Sequence, residues 1–498
     1  SASFVLLKNE DNILPLDASK LKRVVVVGPS AAHIDAGGGS AQVEATRQVT
    51  LLTALRERFG SKTSVEYFPG MDEAVGLEVV PETALRGPED KGKAPGLYGE
   101  YFDNVDFKGA SRFARQDNKV DFHFELDGVN EDMPKDEFSI RWNGSITAPE
   151  TGKYLLAIES DDGSRVYLDD KLVIDNWGGH PPILKANEVE FQAGVPRKIR
   201  IDYYESIIGA SVSLRWKRMD PGMLGRAKRA AAAADLVIVA VGDDAGDETE
   251  GRDRLSFELP RHQANLVRTI ADANPRTVVI LSGGSPLDLG QFVGRVKGVM
   301  MTWFPGQEAG DAISDVLFGD VSPSGRLPFS WPKRRSDAPD AANFPGTRES
   351  VHYAEGLLVG YRYYDQKQIA PLFPFGYGQS YANFEYRDIT VSPPAANGDV
   401  TVNLVVKNIA TRPGAEVVQA YVHPIGPRLA RPEQELKAFA RVTLLPGEER
   451  SVNLTLGARA FSFYDPDRHD WVREAGKFEI RVGSSSRDQR RSQPIELK

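Results

Sequence analysis

From Leu21 the chain reads LKRVVVVG, a polar lead into four consecutive valines that ends at Gly28. An unbroken apolar run of strand length bounded by glycine predicts a strand buried on both faces of a parallel sheet. Past a glycine-rich GGGSA stretch at 37–41, TLLTALRERFG places Leu51, Leu52 and Leu55 on one side of a helix that stops at Gly60, and VEYFPG reads as the next strand. In the opening SASFVLLKNE, Lys8 and Asn9 are expected to anchor the first helix of this unit, or alternatively to face a domain outside this chain. Near residue 95 the pattern turns to alternation: FSIRWNGSITAP, GKYLLAIESDDGSRVYLDDKLVIDNW and PRKIRIDYYE predict an antiparallel β insert. Helical and buried-strand patterns return in MLGRAKRAAAAADLVIVAVG, LPRHQANLVRTIADAN, RTVVILSGG and VKGVMMTWFPG, then give way to a Pro/Arg-rich loop at 332–345. The tail, with DVTVNLVVKNIA, AEVVQAYVHP, RSVNLTLG and GKFEIRVGSS, reads as short strands without helices, as in a β-sandwich. The fold class is therefore α/β and all-β multidomain. An α/β unit over 1–94 and 219–385 is interrupted by an antiparallel β insert over 95–218 and followed by a β-sandwich over 386–498.

Composition narrows the partners. The 498 residues suit about three packed units. Lys and Arg total 61 against 70 Asp and Glu, a net charge of −9, so no overall field gathers a polyanion and nucleic acid is not an expected partner. The longest apolar runs, such as LVIVAV, fall far short of the roughly 18 residues a membrane-crossing helix needs, and no membrane partner is expected. With no cysteine, disulfides and thiolate metal sites are excluded while the cellular compartment stays open. The first residue is serine and no signal-peptide pattern follows it, so the natural start of the polypeptide is expected to lie upstream. VVVVGPS with GGGS lacks the G-x-G-x-x-G of a dinucleotide fold. His33, His123, His262 and His352 are scattered without i, i+4 pairing, which argues against zinc. Asp161-Asp162-Gly163 has the carboxylates for calcium, but nothing nearby completes six oxygen ligands and a hairpin turn explains it better. Neither a metal nor a cofactor is expected.

One loop has a composition that invites chemistry. GDDAGDETEGRDR, at 242–254, carries six acidic residues and two arginines directly after a buried strand. Ligands of α/β sheets bind beyond the carboxyl ends of strands, which is where this loop lies. Glu250, followed by Gly251 and flanked by Arg252, Asp253 and Arg254, is a candidate proton donor or base; an acidic solvated loop is the competing reading. In the insert, DNWGGHPP sets Trp177 and His180 among turn formers, so Trp177 is either a platform for a sugar ring or a cover for its own barrel. Trp303, Phe304 and Gly306 end a buried strand and either pack the core or line a domain junction.

Five motifs in order carry a resemblance: SFVLLKNEDNILPL, ETEGRDR with LSFELP, WFPGQEAGDAISDVLFGDVSPSGRLPFSWP, YAEGLLVGYRYYD and PLFPFGYGQSY. Together they resemble the C-terminal portion of glycoside hydrolase family 3. The insert, with SDDGSRVYLDDKLVIDNWGGH, resembles the protective-antigen-type β-barrel of some β-glucosidases of the family, and the tail, with GAEVVQAYV and RPEQELKAFARVTLLPGE, its fibronectin type III-like domain. The resemblance implies a missing N-terminal (β/α)8 barrel that supplies an aspartate nucleophile, whether as a separate chain, a cleaved segment or an omitted one. It further implies that Glu250, or alternatively Glu248, is the acid/base group of a retaining β-glucosidase. Terminal β-glucosyl residues of short β-glucans or glucosides are the implied substrate, with Trp177 and His180 as candidate contacts. A homo-oligomer is compatible with this, and a noncatalytic carbohydrate-binding or scaffolding half is the alternative.

Overall fold

The structure, a computed structural model, describes residues 1–498 other than 42, 44, 73–75, 90–93, 126, 127, 208, 252, 255 and 348, and all their side chains except that of Glu125. Six strands form one sheet: β1 (Val5–Asn9), β2 (Arg23–Val27), β3 (Ser64–Phe68), β4 (Leu236–Gly242), β5 (Thr277–Ser282) and β6 (Gly298–Trp303). Their order across the sheet is β1-β6-β5-β4-β2-β3, with β1 antiparallel to β6 and every other pair parallel. The valine run of β2 is buried on both faces, as its pattern predicts. Val24 and Val26 pack towards α1 (Leu51–Phe59) and α4 (Ala309–Phe318). Val25 and Val27 pack towards α2 (Met223–Ala232) and α3 (Gln263–Ala273). A residue-by-residue alternation of facing thus sorts one apolar run into two cores.

The opening segment corrects an expectation. Lys8 and Asn9 anchor no helix: Val5–Asn9 is an edge strand on β6, and Leu6 and Leu7 are buried in opposite cores. Consecutive buried apolar residues suit a strand covered on both sides, where a helix of this length would leave one of them exposed. Lys8 Nζ donates to the Val293 carbonyl at 2.6 Å, and the Asn9 side chain bridges the N–H and C=O of Leu14 at 3.0 and 2.9 Å.

Between β3 and α2 the chain builds two antiparallel sheets around one core that includes Trp142, Tyr101, Tyr203, Phe138 and Trp216. Glu78–Val79 and Leu85–Arg86, ahead of residue 95, already pair with strands of these sheets. The Trp142 indole N–H and the Tyr101 hydroxyl both donate to Asp117 Oδ2 at 2.7 Å, so the polar tips of two buried aromatics share one carboxylate. The tail folds into three- and four-stranded antiparallel sheets enclosing a separate core with Tyr386, Phe461 and Phe478. No helix among the described residues is long and apolar enough to cross a membrane.

Candidate active site at the carboxyl ends of the parallel strands

The sheet order places a topological switch between β2 and β4. From β2 the chain steps outward to β3, whereas β4, β5 and β6 step away in the opposite direction. Loops leaving β2 and β4 therefore part in opposite directions and open a crevice, the usual ligand position in such sheets. A cavity of about 490 Å³ lies there, lined among others by Pro29, His33, Gly38, Gly39, Thr249 and Arg261. Pro181 to Leu184 of the insert close one side of it, so the segment that passes between the insert's two sheets reaches the α/β crevice.

The acidic loop begins at this crevice and is fastened along its length. Asp243, fully buried at the end of β4, accepts from Arg254 Nη2 at 3.0 Å. Burial pushes its carboxyl up to about 8; Arg254 opposes the shift, and Glu248 and Asp247 add to it. Arg254 also donates to the Glu258 and Pro286 carbonyls and to Ser285 Oγ, at 2.9, 3.3 and 3.3 Å. The Arg261 guanidinium bridges Asp244 and Asp247 at 2.8 and 3.3 Å, and it sits, like His262, in left-handed backbone at φ 49° and 62°. Such a conformation is costly for residues with a Cβ and persists where surrounding contacts enforce it. On the other wall, Asp35 accepts from Ser282 Oγ and lies 2.9 Å from His33 Nε2.

Glu248 and Glu250 diverge from this frame. Glu248 accepts from the Gly284 N–H at 2.7 Å and from Ser285 Oγ at 2.5 Å, which ties the loop to the turn after β5. Glu250 is exposed, and its Oε2 accepts from the Ser40 N–H at 2.9 Å. The Ser40 hydroxyl and N–H hold its carboxyl below the usual glutamate range. Of the neighbours the sequence placed beside it, Arg252 lies outside the described residues, and Arg254 turns inward to Asp243.

The two insert candidates stand apart from the cavity lining. Trp177 is 38% exposed, with the Arg165 guanidinium 4.5 Å above its ring and Tyr204 at 4.7 Å between centroids. Both ring nitrogens of His180 face carbonyls of their own loop, Pro181 and Asn176, at 3.0 Å. Trp303, at φ 61°, donates its indole N–H to the Ser3 carbonyl at 2.9 Å and packs edge-on against Phe329. Sequence reasoning missed Asp35, Ser40, Ser285 and the inward role of Asp243 and Arg254. These residues lie on loops after three different strands; the acidic loop's composition marked Asp243 and Arg254 without their inward role, and the glycine run beside Ser40 hinted at Ser40.

A doubly wound sheet with a carboxylate-bearing loop at its switch point defines an α/β ligand-binding domain, here carrying a β insert and a β-sandwich tail. The match to known families is specific: residues 4–381 fit the glycosyl hydrolase family 3 C-terminal domain and residues 416–486 a fibronectin type III-like domain. The chain belongs to glycosyl hydrolase family 3. It is 33% identical to a β-glucosidase of Rhizobium radiobacter over 99% of its own length and 61% of the relative's. It is 43% identical to thermostable β-glucosidase B of Acetivibrio thermocellus over 54% of its length and 36% of the relative's. Among solved structures, a β-glucosidase of Kluyveromyces marxianus in complex with glucose superposes with a TM-score of 0.74 at 29% identity, covering 99% of this chain and 61% of that one. The chain thus spans about three-fifths of the length of the relatives that match it throughout.

Proposed function

We propose that this chain is the C-terminal part of a retaining, exo-acting β-glucosidase, and that Glu250 is its acid/base group. The observation that carries the reading is the exposed Glu250 carboxylate, held at the rim of the switch-point crevice in a chain of this family. A retaining glycosidase needs two carboxyls about 5–5.5 Å apart, one attacking the anomeric carbon and one protonating the leaving oxygen and then activating water. Glu250 takes the second role, and an aspartate of an N-terminal barrel takes the first. As a carboxylate, Glu250 is ready for the water-activating step. For the protonating step its pKa must rise, and a docked barrel would supply both desolvation and the negative charge of the nucleophile. Glu248 is less suited, because both of its oxygens are engaged by Gly284 and Ser285.

Two further features support a docked domain. The segment around Tyr353 exposes that ring at 80%, with Leu357 and Val359 at 67% and 59%, an apolar patch of the kind that another surface covers. The relatives' remaining two-fifths is long enough for such a domain. Terminal β-glucosyl residues of short glucans or glucosides are the proposed substrate, with Trp177 and His180 of the insert as candidate contacts with its distal part.

The test joins the chain to its barrel and measures aryl β-glucoside hydrolysis. Glu250→Gly is expected to lose about 10²–10⁴-fold on poor leaving groups, to lose little in the first step on good ones, and to recover partly with azide. The chain without a barrel is expected to show no turnover. Full activity of Glu250→Gly on a poor leaving group would reject the assignment.

A further inference from the structure

Nothing in the proposed chemistry uses the turn of three glycines and a serine at 37–40, yet two of its N–H groups bond the acidic loop. The Gly38 N–H donates to the Glu248 carbonyl at 2.8 Å, and the Ser40 N–H donates to Glu250 Oε2 at 2.9 Å. We propose that this turn is a positioning element for Glu250, a mould of two obligatory glycines and one backbone donor that fixes where its carboxylate can sit. The inference rests on the reading of Glu250 as the acid/base group and adds residues 38–40 as the part that sets its place.

The steric pattern distinguishes a mould from a merely flexible loop. At Gly39 a Cβ would come within 2.5 Å of the Glu250 Cβ and 3.0 Å of its N, and φ there is +70°. At Gly38 a Cβ would meet Thr249 Oγ1 at 2.6 Å and the Ala245 carbonyl oxygen at 2.8 Å. Real Cβ atoms do not approach backbone so closely, so a side chain at either position must push the acidic loop away. At Gly37 the same construction meets only Phe304 and the Glu248 carbonyl, at 3.7 Å and beyond, ordinary van der Waals separations. Flexibility alone would favour all three glycines equally. The contacts instead demand glycine at 38 and 39 and not at 37, and those two face the residues on either side of the Thr249–Glu250 peptide.

The consequence is chemical as well as steric. The Ser40 N–H points at one carboxylate oxygen, so the mould selects one placement of the Glu250 head group. A displacement of about 1 Å in a proton-transfer group is enough to cost about 10²-fold in rate.

The experiment pairs Gly39→Ala with Gly37→Ala as the matched control and reads two quantities. In this chain by itself, the carboxyl carbon-13 signal of Glu250, identified by its loss in Glu250→Gln, is titrated. It is expected to titrate below ordinary glutamate in the unsubstituted chain and in Gly37→Ala, and to return to the ordinary value in Gly39→Ala. In the chain joined to its barrel, Gly39→Ala is expected to lower kcat on a poor leaving group about 10²-fold with KM nearly unchanged, while Gly37→Ala stays within about twofold. An unchanged titration in Gly39→Ala, or an equal change in both variants, overturns the mould. Full activity of Glu250→Gly would reject the catalytic reading and leave the titration result standing, so the two failures are distinguishable. Should Gly39→Ala not fold, Gly38→Ala is read in the same way, since its clash is with Thr249 and Ala245 and leaves the φ of residue 39 untouched.

Discussion

Two glutamates separated by a single threonine are sent to different walls of one crevice, Glu250 to the turn after β2 and Glu248 to the turn after β5. The division follows from hydrogen-bonding capacity. Glu248 satisfies a backbone N–H and a hydroxyl, one at each oxygen, whereas Glu250 faces Ser40 and open solvent. A Cβ at Gly284 would come within 2.6 Å of Glu248 Oε2, so that contact also depends on glycine. Glu248→Ala is therefore expected to lower stability by about 1–2 kcal/mol in urea denaturation, through the loss of two hydrogen bonds. Its activity in the assembled enzyme should fall without recovery in azide, because the missing group holds the loop and does not pass a proton. Recovery by azide in Glu248→Ala, and not in Glu250→Gly, would exchange the two roles.

At the scale of elements, the strands were legible wherever the apolar pattern was long. The seven residues of β4 are all buried, as LVIVAVG promises, and the alternation in the insert returns as paired strands. The anchoring role given to Lys8 and Asn9 failed because the five residues of β1 are too few to separate a helical from an extended period, and only pairing with β6 settles it. The acidic loop was legible as a composition, but its fastening was not: Asp243 and Arg254 are eleven residues apart and meet only because β4 and the turn after β5 lie side by side. Another hidden carboxyl ends the strand Arg197–Glu205 of the insert. Glu205 is fully buried, accepts from the Tyr203 hydroxyl at 3.2 Å, and is pushed up to about 8 by burial and by Asp162 and Asp161. A carboxyl raised in the folded state binds its proton more tightly there than in the unfolded chain. Its contribution is whole below the ordinary glutamate value and fades as pH climbs through about 8. Glu205→Gln, neutral at every pH, should leave the thermal midpoint nearly unchanged at pH 4 and raise it at pH 8.5 in scanning calorimetry. An equal effect at both values would mean that Glu205 titrates normally.

Across the whole molecule, the α/β unit and the tail are joined by polar contacts, several of them buried. Arg326 donates to Glu416 Oε1 at 2.6 Å, with side chains 9% and 3% exposed. Gln434 donates to Asp365, Arg487 pairs with the same carboxylate at 2.8 Å, and the Tyr361 hydroxyl accepts from the Leu436 N–H at 2.8 Å. Gln419 of the tail donates to the Gly376 carbonyl at 3.2 Å, and a Cβ on Gly376 would overlap the Gln419 amide. Separating the two units would strip these groups of partners, and an unpaired buried charge is among the most expensive states a protein can hold. They should therefore unfold together, in one calorimetric transition. Glu416→Ala leaves the Arg326 guanidinium buried without its carboxylate and is expected to cost about 3–5 kcal/mol, enough to divide that transition into two. The Gln379–Leu6 bridge and the Tyr377 hydroxyl on the Leu7 carbonyl attach the connecting segment to β1 and stay intact in this variant, so the α/β unit should keep its own midpoint while the tail melts earlier. A single undivided transition in Glu416→Ala would show that apolar contacts, and not this ion pair, couple the two units.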